Sequence, residues 1–148
     1  MKNPINRRHC KEVIFCGFGE PLERFDVLLE VTKWIRRYHN KDVRIDTNGH
    51  GYLLHPGREV AKELKEAGVN SASISMNAHD KDLYNKICRP QFENAFESIL
   101  EFVEKSKKVL DTEITFVTIP EVDGIKMKEL AKTLDVGLRE RLYSPLIQ

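Results

Sequence analysis

Three short clusters of polar residues in this sequence have the residue types and the spacing of a binding site. The first is Gly17-Phe18-Gly19-Glu20, the second contains Thr47 and Asn48, and the third contains Ser75 and Asn77. Each cluster follows a run of apolar or alternating residues that is typical of a β-strand. Taken singly, each is also an ordinary turn or strand end. Their succession at three strand ends predicts that they converge on one polar rim.

Strand and helix patterns alternate along the whole chain. Strands separated by helices predict βαβ units, and hence an α/β fold with a parallel sheet of about five strands. We predict a single domain over residues 1–148, open or barrel-like, with its chemistry at the carboxyl ends of the strands. The predicted strands span 12–16, 42–46, 71–76, 113–119 and 137–143, and the predicted helices about 21–38, 60–67, 77–87, 92–103 and 127–134.

The first cluster does not match a phosphate-binding loop. Gly19 is followed by Glu20 and Pro21 rather than by two residues and a third glycine, so the dinucleotide-binding fingerprint fails. The Gly-Lys-Ser/Thr of a P-loop is absent too. A carboxylate directly after the glycine turn repels a phosphate, and it suits an ammonium or hydroxyl group better.

The order of the clusters resembles that of the radical S-adenosylmethionine (SAM) superfamily. Residues 15–21, FCGFGEP, are similar to the Gly-Gly-Glu-Pro motif of that family. Residues 46–49, DTNG, are similar to the Thr-Asn-Gly that ends the family's next strand, and 73–77, SISMN, resemble the ribose-contacting end of the following one. With Glu-Arg at 23–24 and Cys-Arg-Pro at 88–90, the chain further resembles the TatD-associated branch. The resemblance covers nearly all of the sequence.

This resemblance implies a partial (β/α) barrel with SAM and a [4Fe-4S] cluster as cofactors. In the complete family the reduced cluster cleaves SAM to methionine and a 5′-deoxyadenosyl radical, which abstracts hydrogen from a substrate. The first cluster would hold the SAM amino group, the second would line the neighbouring strand end, and the third would contact the ribose or carboxylate. The residues implied to bind SAM are Gly17, Phe18, Gly19, Glu20, Thr47, Asn48, Ser75 and Asn77. The structural alternative for Glu20 is a carboxylate stabilised by a helix dipole.

The cysteines depart from the family pattern. The family binds its cluster through Cys-x₃-Cys-x₂-Cys, whereas Cys10, Cys16 and Cys88 are irregularly spaced. We therefore predict reduced thiols and no metal ligands in this chain. The resemblance implies that the chain begins near the second barrel strand, so that the first βα unit and the cluster loop are missing. Whether the chain is itself an enzyme is therefore open.

Two further functions stay open beside the SAM-binding portion of a radical SAM enzyme. One is a degenerate, non-catalytic α/β protein whose rim binds a partner. The other is a different barrel-type enzyme that uses Glu20, Asp46 and His50 as acid–base groups. A lone loop histidine such as His50 is usually exposed. The substrate is not predicted, because substrate contacts vary with the loops grafted on a fold.

The amino-acid composition indicates which cellular compartment and which kinds of partner are expected. The 24 Lys+Arg against 23 Asp+Glu give a net charge of +1, which argues against binding dominated by a nucleic-acid backbone. No apolar run approaches the ~20 residues of a membrane helix. The first ten residues lack the apolar core of a signal peptide, so a cytoplasmic protein is predicted.

The first predicted strand, 12–16, would leave an open sheet edge, and we predict self-association through it.

Overall fold

Every strand of the sheet pairs in parallel with the strand next to it in the sequence. The protein is described here by a computed structural model, which covers residues 10–144. Its single sheet has the order β1-β2-β3-β4-β5. This confirms the predicted α/β fold with five parallel strands. The strands are β1 (Glu12–Phe15), β2 (Asp42–Thr47), β3 (Ser71–Ser75), β4 (Asp111–Thr118) and β5 (Gly137–Leu142).

Helices form the connections between the strands. After β1, a short 3₁₀ helix (Pro21–Arg24) leads into the first α-helix, so the single helix predicted over 21–38 is two elements. The α-helices are α1 (Phe25–Tyr38), α2 (Gly51–Leu54), α3 (Val60–Ala67), α4 (Lys81–Cys88), α5 (Ala95–Ser106) and α6 (Gly124–Leu134). The sequence did not predict α2, because one turn is too short to show a periodic apolar stripe. Within residues 10–144, no helix has both the length and the apolar character to cross a membrane.

One face of the sheet is covered by the helices. Right-handed crossovers between neighbouring parallel strands place successive helices on the same face. Alternate strand residues such as Val43, Ile45 and Ile74 are fully buried under the helices, together with Leu64 and Phe102. This layer forms the hydrophobic core and fixes the register of the strands, because a slip of one residue would expose their apolar side chains.

The opposite face of the sheet is polar. Arg44 donates to Glu12 (Nη1 to Oε1, 3.2 Å) and to Asp46 (Nε to Oδ1, 3.0 Å). Glu113 Oε1 accepts a hydrogen bond from Arg139 Nε at 2.8 Å. The last pair accounts for part of the polarity of β5, whose sequence is GLRERL, because Arg139 meets a charged partner on this face rather than a helix. Because such half-exposed pairs contribute little to stability, the polar face is better suited to contacting a ligand than to holding the fold together.

Strand β1 is an edge strand among the described residues. Its residue Ile14 is 39% exposed, and Phe18, which follows the strand, is fully exposed. Helix α1 presents Val27 and Val31 beside this edge, where they line a groove together with Phe15 and Phe18. The exposed stripe continues along α1 through Trp34 and Tyr38. We call this surface, from β1 to the exposed residues of α1, the edge surface.

We expect the protein to self-associate by pairing the edge surfaces of two copies. Within residues 10–144, β1 has no neighbouring strand on its outer side, and such an edge beside exposed apolar side chains attracts another strand. Val31→Lys places a charge in the groove and should lower the mass measured by light scattering toward that of a monomer. Ile125→Lys, at an exposed residue of α6, is the matched control and should leave the mass unchanged. A parent protein that stays monomeric at every concentration would contradict this expectation.

Two glycines differ only in how closely the core approaches them. Gly49 and Gly57 both have φ of +80°. A Cβ atom at Gly49 would lie 3.1 Å from side-chain atoms of Ile74 and of Ile99, whereas nothing lies within 4 Å of one at Gly57. A side chain at Gly49 would therefore meet both a strained left-handed backbone and the packed core. A side chain at Gly57 would meet the strained backbone alone.

The free energy of unfolding should report this difference. Gly57→Ala should lower it by about 1–2 kcal/mol, the cost of a left-handed non-glycine residue. Gly49→Ala should lower it by about 2–5 kcal/mol, because overpacking adds about 1–3 kcal/mol to that cost. Urea denaturation of the two variants measures both values. Equal losses of unfolding free energy would show that Ile74 and Ile99 move aside at little cost when a side chain is added at Gly49.

Candidate functional site

A cleft of about 610 Å³ opens at the carboxyl ends of the strands. Its floor and one wall come from the residues that follow β1, β2 and β3, and the other wall comes from the segment 88–92 between α4 and α5. Seven of the eight predicted site residues line it: Gly17, Phe18, Gly19, Glu20, Thr47, Asn48 and Ser75. The three polar clusters therefore lie on one rim, and their contacts to a ligand stay predictions.

Glu20 is held between two elements by its carboxylate. Its Oε1 accepts hydrogen bonds from Thr47 Oγ1 at 2.6 Å and from the Leu22 backbone N–H at 3.1 Å. Its Oε2 accepts one from the Asn48 backbone N–H at 2.7 Å. The bond to Leu22 caps the 3₁₀ helix, so Glu20 also has the structural role that was the alternative to ligand binding. Two carboxylate oxygens offer about four acceptor positions, which leaves Glu20 capacity for a further donor.

Burial raises the pKa of Glu20 above its ordinary value, although the hydrogen bonds from Asn48, Thr47 and Leu22 act to lower it. The desolvation of the carboxylate is the larger effect. A carboxylate that is partly removed from water and still has free acceptor capacity gains strongly from a cationic partner. The electrostatics of this end of the cleft therefore favour an ammonium group.

In the turn after β2, the Thr47 side chain positions Glu20. Thr47 is 2% exposed, and its hydroxyl donates to Glu20 while it accepts from the Gly49 N–H at 3.1 Å. Asn48 Oδ1 accepts a hydrogen bond from the His50 N–H at 3.0 Å, which closes an Asx turn. Thr47 is thus a positioning residue, whereas Asn48 lies on the cleft wall.

Ser75 and Asn77 at the end of β3 are placed differently. Ser75 lines the cleft. Asn77 does not line it: the residue has a left-handed φ of +62°, and its Nδ2 lies 4.0 Å from the Cys88 sulfur. Its Oδ1 is buried and has no hydrogen-bond partner among the described residues. The structure therefore does not bring Asn77 into the cleft with the other predicted site residues.

His50 is buried rather than exposed, contrary to the expectation for a lone loop histidine. Its Nε2 lies 2.8 Å from Tyr84 Oη, and its ring meets the Phe92 ring edge-on with centroids 5.9 Å apart. Burial lowers the pKa of His50, so the neutral imidazole is favoured. The sequence patterns missed Phe92 as a residue of the cleft, because it has the helical spacing of a core stripe. Tyr84 contacts His50 but does not itself line the cleft.

The three residues of the acid–base alternative, Glu20, Asp46 and His50, all line the cleft. Asp46, however, is paired with Arg44 at 3.0 Å, and His50 is engaged by Tyr84. Each of the three therefore has a protein partner.

The cysteines do not converge. Cys16 and Cys88 line the cleft, whereas Cys10 is exposed and donates through its sulfur to the Glu12 carbonyl at 3.0 Å. Burial raises the pKa of the Cys88 thiol, which favours its protonated form. In the part of the chain that the structure describes, no three His, Cys, Asp or Glu side chains are arranged to hold a metal ion. These residues therefore do not fit the [4Fe-4S] cluster that the family resemblance implies.

We predict that the chain alone takes up no stoichiometric [4Fe-4S] cluster, because a cubane needs thiolates that converge. After anaerobic reconstitution, iron and sulfide analysis should give background values for the parent and for Cys16→Ala alike. Stable uptake of about four irons per chain by the parent, lost in Cys16→Ala, would contradict the prediction.

Comparisons with known proteins agree with this geometry. The sequence profile of the radical SAM superfamily matches residues 4–136. A GTP 3′,8-cyclase of Aliarcobacter butzleri is 31% identical over 125 residues, which cover 84% of this chain and 35% of that protein. Among solved structures, archaeal TYW1 superposes with a TM-score of 0.61 at 23% identity, and methylornithine synthase (PylB) with 0.60 at 16% identity.

The matched regions are only part of these relatives. The alignment with archaeal TYW1 covers 85% of this chain and 40% of that one, and the alignment with methylornithine synthase covers 81% and 34%. The chain thus spans about a third to two fifths of the length of these three proteins. At these identities the two superpositions establish the shared fold.

Proposed function

This chain belongs to the radical SAM superfamily, and we propose that its cleft is the SAM-binding portion of a radical SAM enzyme. The observation that carries the proposal is the Glu20 carboxylate, partly buried at the cleft and fixed by donors from two elements. The finer assignment to the TatD-associated branch stays a prediction.

The negative charge of the part of the cleft around Glu20 supports a cationic ligand. Glu20 and Glu23 both line it, and they lie close enough for the charge of Glu23 to act on Glu20. SAM carries an ammonium group and a sulfonium centre. A hydrogen bond between an ammonium and a carboxylate is charge-assisted and about twice as strong as a neutral one. The amino end of SAM therefore suits Glu20.

The remainder of the cleft can accept the nucleoside of SAM. Asn48 and Ser75 supply polar groups for a ribose, and Leu54 and Phe92 supply apolar surface for a purine ring. When bound in the family, SAM supplies a 5′-deoxyadenosyl radical for hydrogen abstraction. The described residues of this chain bind and orient the cofactor, and the ligands of an iron–sulfur cluster are not among them.

Calorimetric titration with SAM tests the proposal. Glu20→Gln should weaken SAM binding at least about tenfold, because a hydrogen bond to a charged group contributes about 1.5–3 kcal/mol. Glu23→Gln removes a carboxylate that lies at the same end of the cleft and should have a smaller effect. Circular dichroism establishes that Glu20→Gln is folded. If the two variants lose affinity equally, SAM senses only the overall charge, and Glu20 is not a ligand.

The same experiment has an expected pH dependence. Since burial raises the pKa of Glu20, its carboxyl group keeps its proton to a higher pH than an exposed glutamate does. SAM affinity should therefore rise as the pH increases through and above 4.5, the ordinary pKa of the group, as long as the ammonium group of SAM stays protonated. Glu23, Asp46 and His50 also line the cleft, so the part of the slope that belongs to Glu20 is the part abolished in Glu20→Gln. A folded parent that binds no SAM at any pH would favour the degenerate, non-catalytic alternative.

A further inference from the structure

His50 and Tyr84 form a buried polar pair beside the cleft. His50 is 8% exposed and lines the cleft, whereas Tyr84 is 3% exposed and does not line it. The Tyr84 hydroxyl lies 2.8 Å from His50 Nε2, and the Tyr84 ring packs against the Phe96 ring with centroids 5.7 Å apart. The His50 imidazole is thus held at one of its two nitrogens, and the proposed contact of SAM with Glu20 leaves this pair without a role.

The direction of the hydrogen bond within the pair follows from burial. Burial raises the pKa of Tyr84, so the phenol keeps its proton, and burial lowers the pKa of His50, so the imidazole is neutral with one proton. If Nε2 carried that proton, the Tyr84 hydroxyl proton would have no acceptor among residues 10–144. A buried donor without an acceptor is destabilising. Tyr84 Oη therefore donates to His50 Nε2, and the imidazole proton lies on Nδ1.

Nδ1 is the ring nitrogen of His50 that can reach a ligand. It forms no hydrogen bond with the part of the chain that the structure describes, and it is not among the polar atoms that are sealed from solvent without a partner. Because His50 is otherwise buried and lines the cleft, the open side of its ring is the cleft side. A neutral N–H group fixed at a cleft wall suits a hydrogen-bond acceptor.

We propose that His50 is a specificity-determining residue of the cleft, which donates a hydrogen bond from Nδ1 to an acceptor atom of SAM, and that Tyr84 is the positioning residue that fixes this tautomer. The choice of SAM as the ligand rests on the proposed function. Glu20 and His50 then bind opposite kinds of group, because the carboxylate takes a donor and the imidazole takes an acceptor. Since the imidazole is neutral, this contact leaves the negative charge around Glu20 unchanged.

The turn after β2 connects the two groups. The Asn48 backbone N–H donates to Glu20 Oε2 at 2.7 Å, and Asn48 Oδ1 accepts from the His50 backbone N–H at 3.0 Å. The Glu20 carboxylate and the His50 backbone are therefore bonded to the same residue. A ligand that places its ammonium group on Glu20 can thus meet His50 with a second group. SAM has acceptor atoms in its carboxylate and in its nucleoside.

Two substitutions at His50 separate the roles of the ring nitrogens. The amide nitrogen of asparagine is bonded to Cγ, as Nδ1 is in histidine, so His50→Asn keeps a donor at that position. The longer side chain of His50→Gln places its amide near Tyr84 and removes the donor at the Nδ1 position. His50→Gln should weaken SAM binding about 3- to 10-fold, and His50→Asn should bind within about twofold of the parent.

His39→Gln is the matched control, because His39 is an exposed histidine that follows α1 and does not line the cleft. It should bind SAM as the parent does, and circular dichroism establishes that each variant is folded. Equal affinity of the parent and both His50 variants would overturn the proposal. So would equal losses in the two His50 variants, because the loss would then not depend on the donor at the Nδ1 position.

Nitrogen-15 NMR of the imidazole tests the role of Tyr84. In the parent, the protonated ring nitrogen of His50, identified by the signal missing from His50→Gln, should be Nδ1. Tyr84→Phe keeps the ring that packs against Phe96 and removes the hydroxyl, so both tautomers should be populated and SAM affinity should fall about 2- to 5-fold. A proton on Nε2 in the parent, or an unchanged tautomer in Tyr84→Phe, would overturn the positioning role.

Titration with 5′-methylthioadenosine, which lacks the amino and carboxylate groups of SAM, locates the acceptor. If His50→Gln also weakens binding of this compound, the acceptor is in the nucleoside, and if it weakens binding of SAM alone, the acceptor is the carboxylate. A parent that binds SAM no better than His50→Gln does rejects His50 as a donor and leaves the proposed SAM site standing. A parent that binds neither compound rejects the proposed function and, with it, the ligand of His50.

Discussion

The Glu20 carboxylate joins the two loops that follow β1 and β2, because it accepts hydrogen bonds from the start of the 3₁₀ helix and from the end of β2. The parallel register makes this possible: Phe15 pairs with Ile45, so the turn after β1 lies beside Thr47. Each bond to a charged acceptor is worth about 1.5–3 kcal/mol in isolation. The shape of the rim thus depends on a single side chain whose charge is also what a cationic ligand would bind.

The two faces of the sheet have different roles: one stabilises the fold and the other is available for ligand recognition. The helix-covered face buries residues such as Val43, Ile45 and Ile114, and burial of this kind supplies the main driving force for folding. The polar face carries half-exposed ion pairs such as Arg44 with Glu12. Substitutions on that face therefore alter the cleft at little cost to the fold. This separation lets one scaffold present different ligand groups.

Much of this arrangement could be predicted from the sequence. Alternating apolar periods gave all five strands, and the glycine turn, Thr47-Asn48 and Ser75 were correctly placed at strand ends that share one rim. The family resemblance is confirmed by the profile match. These features follow from local patterns, because the carboxyl ends of parallel strands necessarily lie at one edge of a sheet.

The remaining features depend on tertiary structure. Tyr84 of α4 and Phe92, which precedes α5, lie far from His50 in the sequence, and only the tertiary packing brings them to it. Asn77 follows Ser75 by two residues, yet it has a left-handed backbone conformation and does not line the cleft. Arg141 belongs to a polar strand in the sequence, and the contact of its side chain with Ser75 of β3 has no local signature there.

The strictly sequential order of the sheet has a consequence for how the chain folds during synthesis. Within residues 10–144, each strand pairs only with the strands just before and just after it, so no strand of this part of the chain must wait for a partner far downstream within it. A nascent chain can add one strand and its helix at a time to a sheet that is already formed. Folding that proceeds with elongation keeps the growing apolar face covered and shortens the exposure of partly folded intermediates to aggregation.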